Sequence, residues 1–453
     1  MFSKKTTFIF FIFYLLWCNT AISEQIFTPK AKYTQFKNDF ITIGSNGRLV
    51  VPDDFRRLYT SPVLEIEKYL RSLEPAKTAV LIMVKIVSSA DENQPAALKY
   101  NEGYTINLAS DKVVITGKDY LGALHGLTFL EKLMRENKGK VKKGEIADWP
   151  NLKTRALHLV LVEGLIKPAD IITNITQARF GYYNVLILNL RHCVKFNTMK
   201  RLAHDKAWTI NEFLNVVNYA RENGLEVIPE VNLLSHQEKF LDDAYPELMY
   251  NEVTYDPRKE ETYKTIFPMI DEIIDLVNPK AFHIGHDEVK GLDSKTKKKW
   301  LGKSEMALPP ELFLADILRL YNHLENRGIA TWMWGDMLIA PEEFSELSSK
   351  HLHGLGGYNK TRDKLPKDIV ICDWHYTVDQ TIFPSSLIFL NAGHKVLGST
   401  WRDEKTIRNF SRYIASIHGE GMIATTWINA LGRDADTFNK IIQVSADVFW
   451  NAK

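Results

Sequence analysis

The sequence predicts an α/β protein, a (β/α)8 barrel preceded by a small α+β domain. Two observations carry this. After Trp149-Pro150 the chain settles into a rhythm of strand, loop and helix that can be counted eight times over about 300 residues. Its strand-like runs are mostly continuous and apolar, as strands buried on both faces should be. Before Trp149 the rhythm differs, with short strand-like runs separated by polar turns.

The elements follow in order. Lys4 and Lys5 precede an apolar stretch from Phe8 to Cys18, then the small-residue segment Ala21-Ile22-Ser23. That layout predicts a secretory signal peptide over 1–23 and export of the remainder, to a periplasmic or extracellular destination. The run is too short to span a bilayer comfortably. Cys18 invites a lipoprotein reading, which the bulky Trp17 disfavours. Residues 24–147 read as the small domain, with strands such as Thr78–Val87 and Val113–Thr116. It closes in a helix whose apolar positions are Leu121, Leu124, Leu127, Leu130 and Leu133.

Residues 148–453 read as the barrel. Its expected strands are Arg155–Val162, Tyr183–Leu190, Leu225–Val231, Ala281–Gly285 and Ile329–Trp334, then Ile369–Asp373, Lys395–Thr400 and Met422–Trp427. Helix-length segments lie between them. The rival topology, an open doubly wound sheet, lacks a glycine-rich phosphate loop after its first strand.

Composition narrows the function. Hydrophobic residues make up 45% and charged residues 25%, the balance of a globular protein with a sizeable core. The net charge of +2, with one basic run at Lys295, Lys297, Lys298 and Lys299, gives no footprint for nucleic acid. No run beyond the amino terminus is long and apolar enough to span a membrane. After cleavage Cys193 and Cys372 remain; they could pair, or stand as two buried thiols. The oligomeric state is not legible.

A barrel presents its chemistry at the carboxyl ends of its strands. Those ends read Glu163, Asn189 with His192, Asn232 with His236, His286-Asp287-Glu288, Trp334 with Asp336, Asp373-Trp374-His375-Tyr376, Trp401 and Trp427. Singly each could be a cap or a packing residue; together they resemble the rim of a carbohydrate pocket.

The sharpest local signal is His283-Ile284-Gly285-His286-Asp287-Glu288-Val289. It resembles the His-x-Gly-x-Asp-Glu segment of glycoside hydrolase family 20, the β-N-acetylhexosaminidases. Other stretches are similar in order and spacing. They are Glu102-Gly103-Tyr104, Gly122 through Leu133, Asp148-Trp149-Pro150 through Arg155, Gly224 through Glu230, His236, and Tyr245-Pro246-Glu247-Leu248. The resemblance covers nearly the whole of the chain after the signal peptide.

The resemblance implies exo-acting, retaining hydrolysis of terminal non-reducing N-acetyl-β-hexosaminides in a glycan or chitin fragment. The substrate's own 2-acetamido oxygen would be the nucleophile. Glu288 would be the general acid, then the base, and Asp287 would orient the acetamido N–H. No cofactor and no metal are implied. Two neighbouring carboxyls repel when both are ionised, which raises one of their pKa values. Trp334, Trp374 and Trp427 match aromatic walls around the sugar. His236 reads as an orienting group, Tyr376 as a partner for the acetamido oxygen, and Asp336 and Asp373 as hydroxyl acceptors.

Three positions depart from the family pattern. Glu163 stands where an arginine would grip the sugar hydroxyls; Leu188-Asn189-Leu190-Arg191-His192 replaces a Trp-His-Leu-x-Asp stretch; and His286 replaces a small residue. Glu163 is therefore itself a candidate sugar contact, and Asn189 or His192 a substitute partner for His236. Other readings stay open. They are a carbohydrate-binding protein on a decayed hydrolase scaffold, a glycosidase for a different sugar, and a metal site built on His283, His286, Asp287 and Glu288.

Overall fold

The computed structural model describes residues 27–87, 95–162, 164–237, 240–241, 244–289, 307–344, 352–427 and 435–453. The expected signal peptide, the basic run at 295–299 and Glu163 lie outside them. The chain divides into two compact units. One takes in the residues up to Pro150 with Ala169–Tyr182 and Glu222–Gly224, and the other holds the remainder.

The first unit is built on a six-stranded sheet. Its strands are β1 (Tyr33–Thr42), β2 (Arg48–Val50), β3 (Leu81–Ile86), β4 (Tyr104–Leu108), β5 (Lys112–Gly117) and β6 (Lys140–Asp148). They lie in the order β1-β6-β4-β5-β3-β2. β2, β3 and β5 run parallel, and the β5–β4, β4–β6 and β6–β1 pairs are antiparallel. Helices α1 (Asp53–Leu58), α2 (Thr60–Arg71) and α3 (Tyr120–Glu136) complete it.

The α3 helix starts where the Asp119 carboxylate accepts the Gly122 N–H, a side-chain cap on an otherwise orphan donor. It buries Leu124, Leu127 and Leu130, and leaves Leu121 and Leu133 half-buried. Gly122 is required there, since a β-carbon would sit 2.4 Å from the Gly103 carbonyl oxygen. The strand β6 carries little apolar signal, because Lys140, Lys142 and Glu145 face solvent. Only Val141, Gly144, Ile146 and Asp148 turn inward. Helix α4 (Pro168–Phe180) belongs to this unit too. Its buried Arg179 donates to Glu131 of α3 and Glu65 of α2, each at 2.8 Å.

The second unit is the barrel. Eight parallel strands close it: β7 (Thr154–Val160), β8 (Val185–Asn189), β9 (Glu226–Leu233), β10 (Ala281–Gly285), β11 (Ala330–Trp334), β12 (Val370–Trp374), β13 (Lys395–Thr400) and β14 (Gly421–Thr425). The helices α5 (Ile210–Glu222), α6 (Glu260–Val277), α7 (Pro310–Glu325), α8 (Pro384–Asn391), α9 (Glu404–Ser416) and α10 (Ala435–Asn451) follow β8, β9, β10, β12, β13 and β14.

The expected helix between β11 and β12 is not found among the described residues, where short 3-10 turns at Pro341–Glu343 and Tyr358–Lys364 make the connection. The α6 helix shows how the pattern works. Ile266, Ile270, Ile273, Ile274 and Val277 recur at helical spacing and are buried. Asn278, at φ 45°, ends the helix by donating its N–H to the Ile274 carbonyl. No helix of the described residues is long and apolar enough to cross a membrane.

Candidate active site

Inside the barrel, Ala156, Ile187, Ile228, Trp334, Cys372, Leu397 and Ile423 pack as one apolar cluster. Among the polar side chains of the same strands, His158 on β7 and Glu230 on β9 are both fully buried. A buried charge must be paired. His158 Nε2 lies 2.7 Å from one Glu230 oxygen, and the Trp334 indole N–H donates to the other at 3.1 Å. Burial pushes the Glu230 carboxyl up, but His158 and His283 more than offset it, so it stays below its ordinary range. Burial drives His283 down to about 4, and its Nδ1 lone pair takes the Gly285 N–H at 3.1 Å. The His283 ring is braced against Trp334, 4.6 Å between centroids.

Above this layer β10 ends abruptly. Gly285, His286 and Glu288 all have left-handed backbone, at φ 75°, 70° and 51°. Side chains of a regular strand alternate in direction, so this break allows Asp287 and Glu288 to serve one pocket. A second loop meets it from the end of β9, where Leu234 and His236 are also left-handed, at φ 66° and 56°. His236 Nε2 lies 3.3 Å from Asp287 Oδ2 and 3.8 Å from Glu288 Oε2. The other Asp287 oxygen, Oδ1, is buried with no hydrogen-bond partner.

The two carboxyls are driven apart. Burial pushes Asp287 up, but the His236 charge and hydrogen bond outweigh it and hold it below the ordinary aspartate range. Burial pushes Glu288 up, the Asp287 and Asp336 charges add to this, His236 and His353 partly offset it, and it reaches about 7. One group is set as a carboxylate, the other as a protonated acid near neutrality.

Linkage gives a test. Glu288 holds its proton more tightly folded than unfolded, so its stability contribution is full below about pH 4.5 and lost as pH rises through about 7. The melting temperature of Glu288→Gln relative to wild type should therefore climb between pH 4.5 and 7 and level off above. A constant difference would show that the Glu288 pKa is not raised.

The remaining expected residues divide. Asp336 accepts the Glu288 backbone N–H at 3.0 Å and lies 2.7 Å from His353 Nδ1 through the same oxygen, leaving buried Oδ1 without a partner. Its evident work is to hold the Glu288 loop. Trp374 stacks on Tyr376 at 4.8 Å, and the Trp427 N–H donates to the Tyr376 hydroxyl at 2.9 Å. Tyr376 and Trp427 are half-exposed, and Trp374 is nearly buried beneath them.

Trp334, expected as a wall, is 1% exposed and turned into the barrel core, so it has no face for a sugar. Asp373, expected as a hydroxyl acceptor, accepts from Ser385 and Ser386 at 2.8 and 2.5 Å and pairs with His375 at 3.3 Å. The metal reading on His283 and His286 fails, because the first braces Trp334 and the second bonds Asp316 at 2.9 Å. The group whose ligand atoms do converge, within 4.8 Å of one another, is His236, Asp287 and Glu288. Asn189 donates its amide N–H to Asn232 at 2.9 Å. Cys193 and Cys372 are buried and not bonded to each other.

His158, Glu230, His353 and Asp316 were not singled out from the sequence. For the first two a signal existed, since a charged or imidazole side chain inside an apolar strand demands a partner. His353 and Asp316 are distant in the chain and carried none.

A closed parallel barrel with two inequivalent carboxyls at one strand end has the layout of a barrel enzyme's active site. Comparison with known proteins sharpens this. The chain matches glycosyl hydrolase family 20, catalytic domain, over residues 191–400, and the same family's domain 2 over residues 26–149. It belongs to glycosyl hydrolase family 20.

Among curated relatives, a lacto-N-biosidase of Bifidobacterium bifidum is 23% identical over 347 residues, 74% of this chain and 29% of that protein. A beta-hexosaminidase of Emericella nidulans is 23% identical over 362 residues, 70% of this chain and 57% of the relative. The chain thus spans well under two thirds of either. Among solved structures, an exo beta-N-acetylglucosaminidase of Vibrio harveyi in complex with N-acetylglucosamine superposes with a TM-score of 0.72 at 16% identity, covering 95% of this chain and 74% of that one.

Proposed function

We propose that this chain, after export, hydrolyses terminal β-linked N-acetylhexosaminides from the non-reducing end of glycans, with the substrate's acetamido group as nucleophile. The observation that carries the reading is the adjacent pair at the end of β10, Asp287 held ionised and Glu288 held protonated near neutrality. Glu288 gives its proton to the leaving oxygen. The buried Asp287 Oδ1 accepts the acetamido N–H, so the carbonyl oxygen is turned onto the anomeric carbon and the positive charge of the cyclised intermediate is balanced. Tyr376 brings an O–H near that carbonyl, its oxygen already accepting the Trp427 N–H. Glu288, now a carboxylate, then removes a proton from water, which opens the intermediate with retention. Family membership and the relatives' names support a hexosaminide as substrate.

The test is release of nitrophenol from aryl N-acetyl-β-glucosaminide and -galactosaminide, with the unacetylated glucoside as control and chelator in a parallel arm. Turnover should require the acetamido group and ignore the chelator. Equal turnover of the unacetylated glucoside would overturn the acetamido mechanism. Saturable binding of the N-acetyl sugars with no turnover would favour a carbohydrate-binding protein instead.

A further inference from the structure

We propose that Asp316 is a positioning residue that ties together the two loops bearing His236 and the Asp287–Glu288 pair; the effect on turnover rests on the hydrolytic reading above. Asp316 lies on α7 and is fully buried, so it cannot touch a sugar. Its Oδ2 accepts from His286 Nε2–H at 2.9 Å and from the Tyr255 hydroxyl at 2.8 Å. Its Oδ1 accepts the Tyr263 hydroxyl of α6 at 2.5 Å, which fixes the carboxylate from the far side.

Each of the first two donors leads to one loop. His286 immediately precedes Asp287 in the chain, so a bond that fixes its ring fixes the start of the carboxyl pair's loop. Tyr255 donates its backbone N–H to the Leu234 carbonyl at 3.2 Å, two residues before His236. A single carboxylate oxygen thus stands one side chain away from both loops.

The loops need such a tie. Leu234, His236, His286 and Glu288 all hold a left-handed backbone. A non-glycine residue is strained there and relaxes unless its surroundings hold it. The His236–Asp287 contact of 3.3 Å joins one loop to the other. A relative shift of about 1 Å would break it, and a misplacement of that size is worth about 10²-fold in rate.

The test compares His286→Gly, His286→Gln and Asp316→Asn with wild type. Glycine accepts the φ of 70° at residue 286, so the first variant keeps the chain path while removing the tie together with the ring's packing on Phe313, which the glutamine variant partly restores. Glutamine returns an N–H near the position of Nε2. Steady-state kinetics on the aryl N-acetylglucosaminide should show kcat lowered about 10²-fold by His286→Gly, with KM little changed and most of the loss recovered by His286→Gln. Hydrogen exchange should quicken in segments 232–237 and 283–289 together, in both His286→Gly and Asp316→Asn.

A folded His286→Gly with wild-type kcat, or faster exchange confined to 283–289, would overturn the tie. Wild type inactive on every acetylated substrate would sink the hydrolytic reading instead, and the exchange measurement would still decide whether Asp316 joins the loops.

Discussion

Glu288→Gln should keep the fold and lower kcat on chitobiose-like substrates by roughly 10²–10⁴-fold, the usual worth of a general acid. The leaving group in such substrates is a sugar alkoxide, which cannot depart without a proton. Glutamine occupies the same volume, and its backbone N–H still donates the anchoring bond to Asp336, so the effect isolates the proton. Nitrophenyl substrates leave as stabilised anions, and their glycosylation step should suffer much less. Opening of the cyclised intermediate by water still needs the base, so a burst of nitrophenol followed by slow turnover is expected. Turnover of chitobiose near the wild-type rate would remove Glu288 from the mechanism.

Asp287→Asn should weaken a thiazoline analogue of the cyclised intermediate far more than it weakens N-acetylglucosamine. On the proposed mechanism Asp287, held below the ordinary aspartate range, faces the positive charge that develops in a buried pocket, where such an interaction is large. A neutral product feels little of it, and asparagine can still accept a hydrogen bond. Removing one preorganised group of this kind typically costs roughly 10²–10³-fold. Inhibition constants for thiazolines of gluco and galacto configuration, set beside product constants, would show the difference. If neither thiazoline binds and a fluorinated glycoside traps an ester on a carboxylate, the acetamido group is not the nucleophile.

The barrel was legible because its signal is redundant. Eight apolar runs, each buried on both faces, repeat at a spacing that only a few topologies accept, and a one- or two-residue error at any end leaves the register intact. The position of Asp287 and Glu288 was legible for the same reason, since a strand end is a geometric address. What each neighbouring side chain does there was not. Trp334 ends β11 and Trp427 stands just past β14, yet one turns inward to Glu230 and the other joins Tyr376. Direction at a strand end depends on a few backbone angles that side-chain identity does not encode. The same limit hid β6, whose solvent-facing lysines mask a strand lying between two others, and the knot around Asp316, whose members come from four separated segments.

Four non-glycine residues in left-handed conformations stand around one pair of carboxyls, and this sets activity against durability. Leu234 and His286 are fully buried and would lose more packing than a relaxed backbone returns, but at the half-buried 236 and 288 backbone energy alone would favour glycine or asparagine. A population selected only for resistance to heat should accumulate such replacements at those positions first, whereas one selected for turnover should keep His236 and Glu288 and accept the less stable chain.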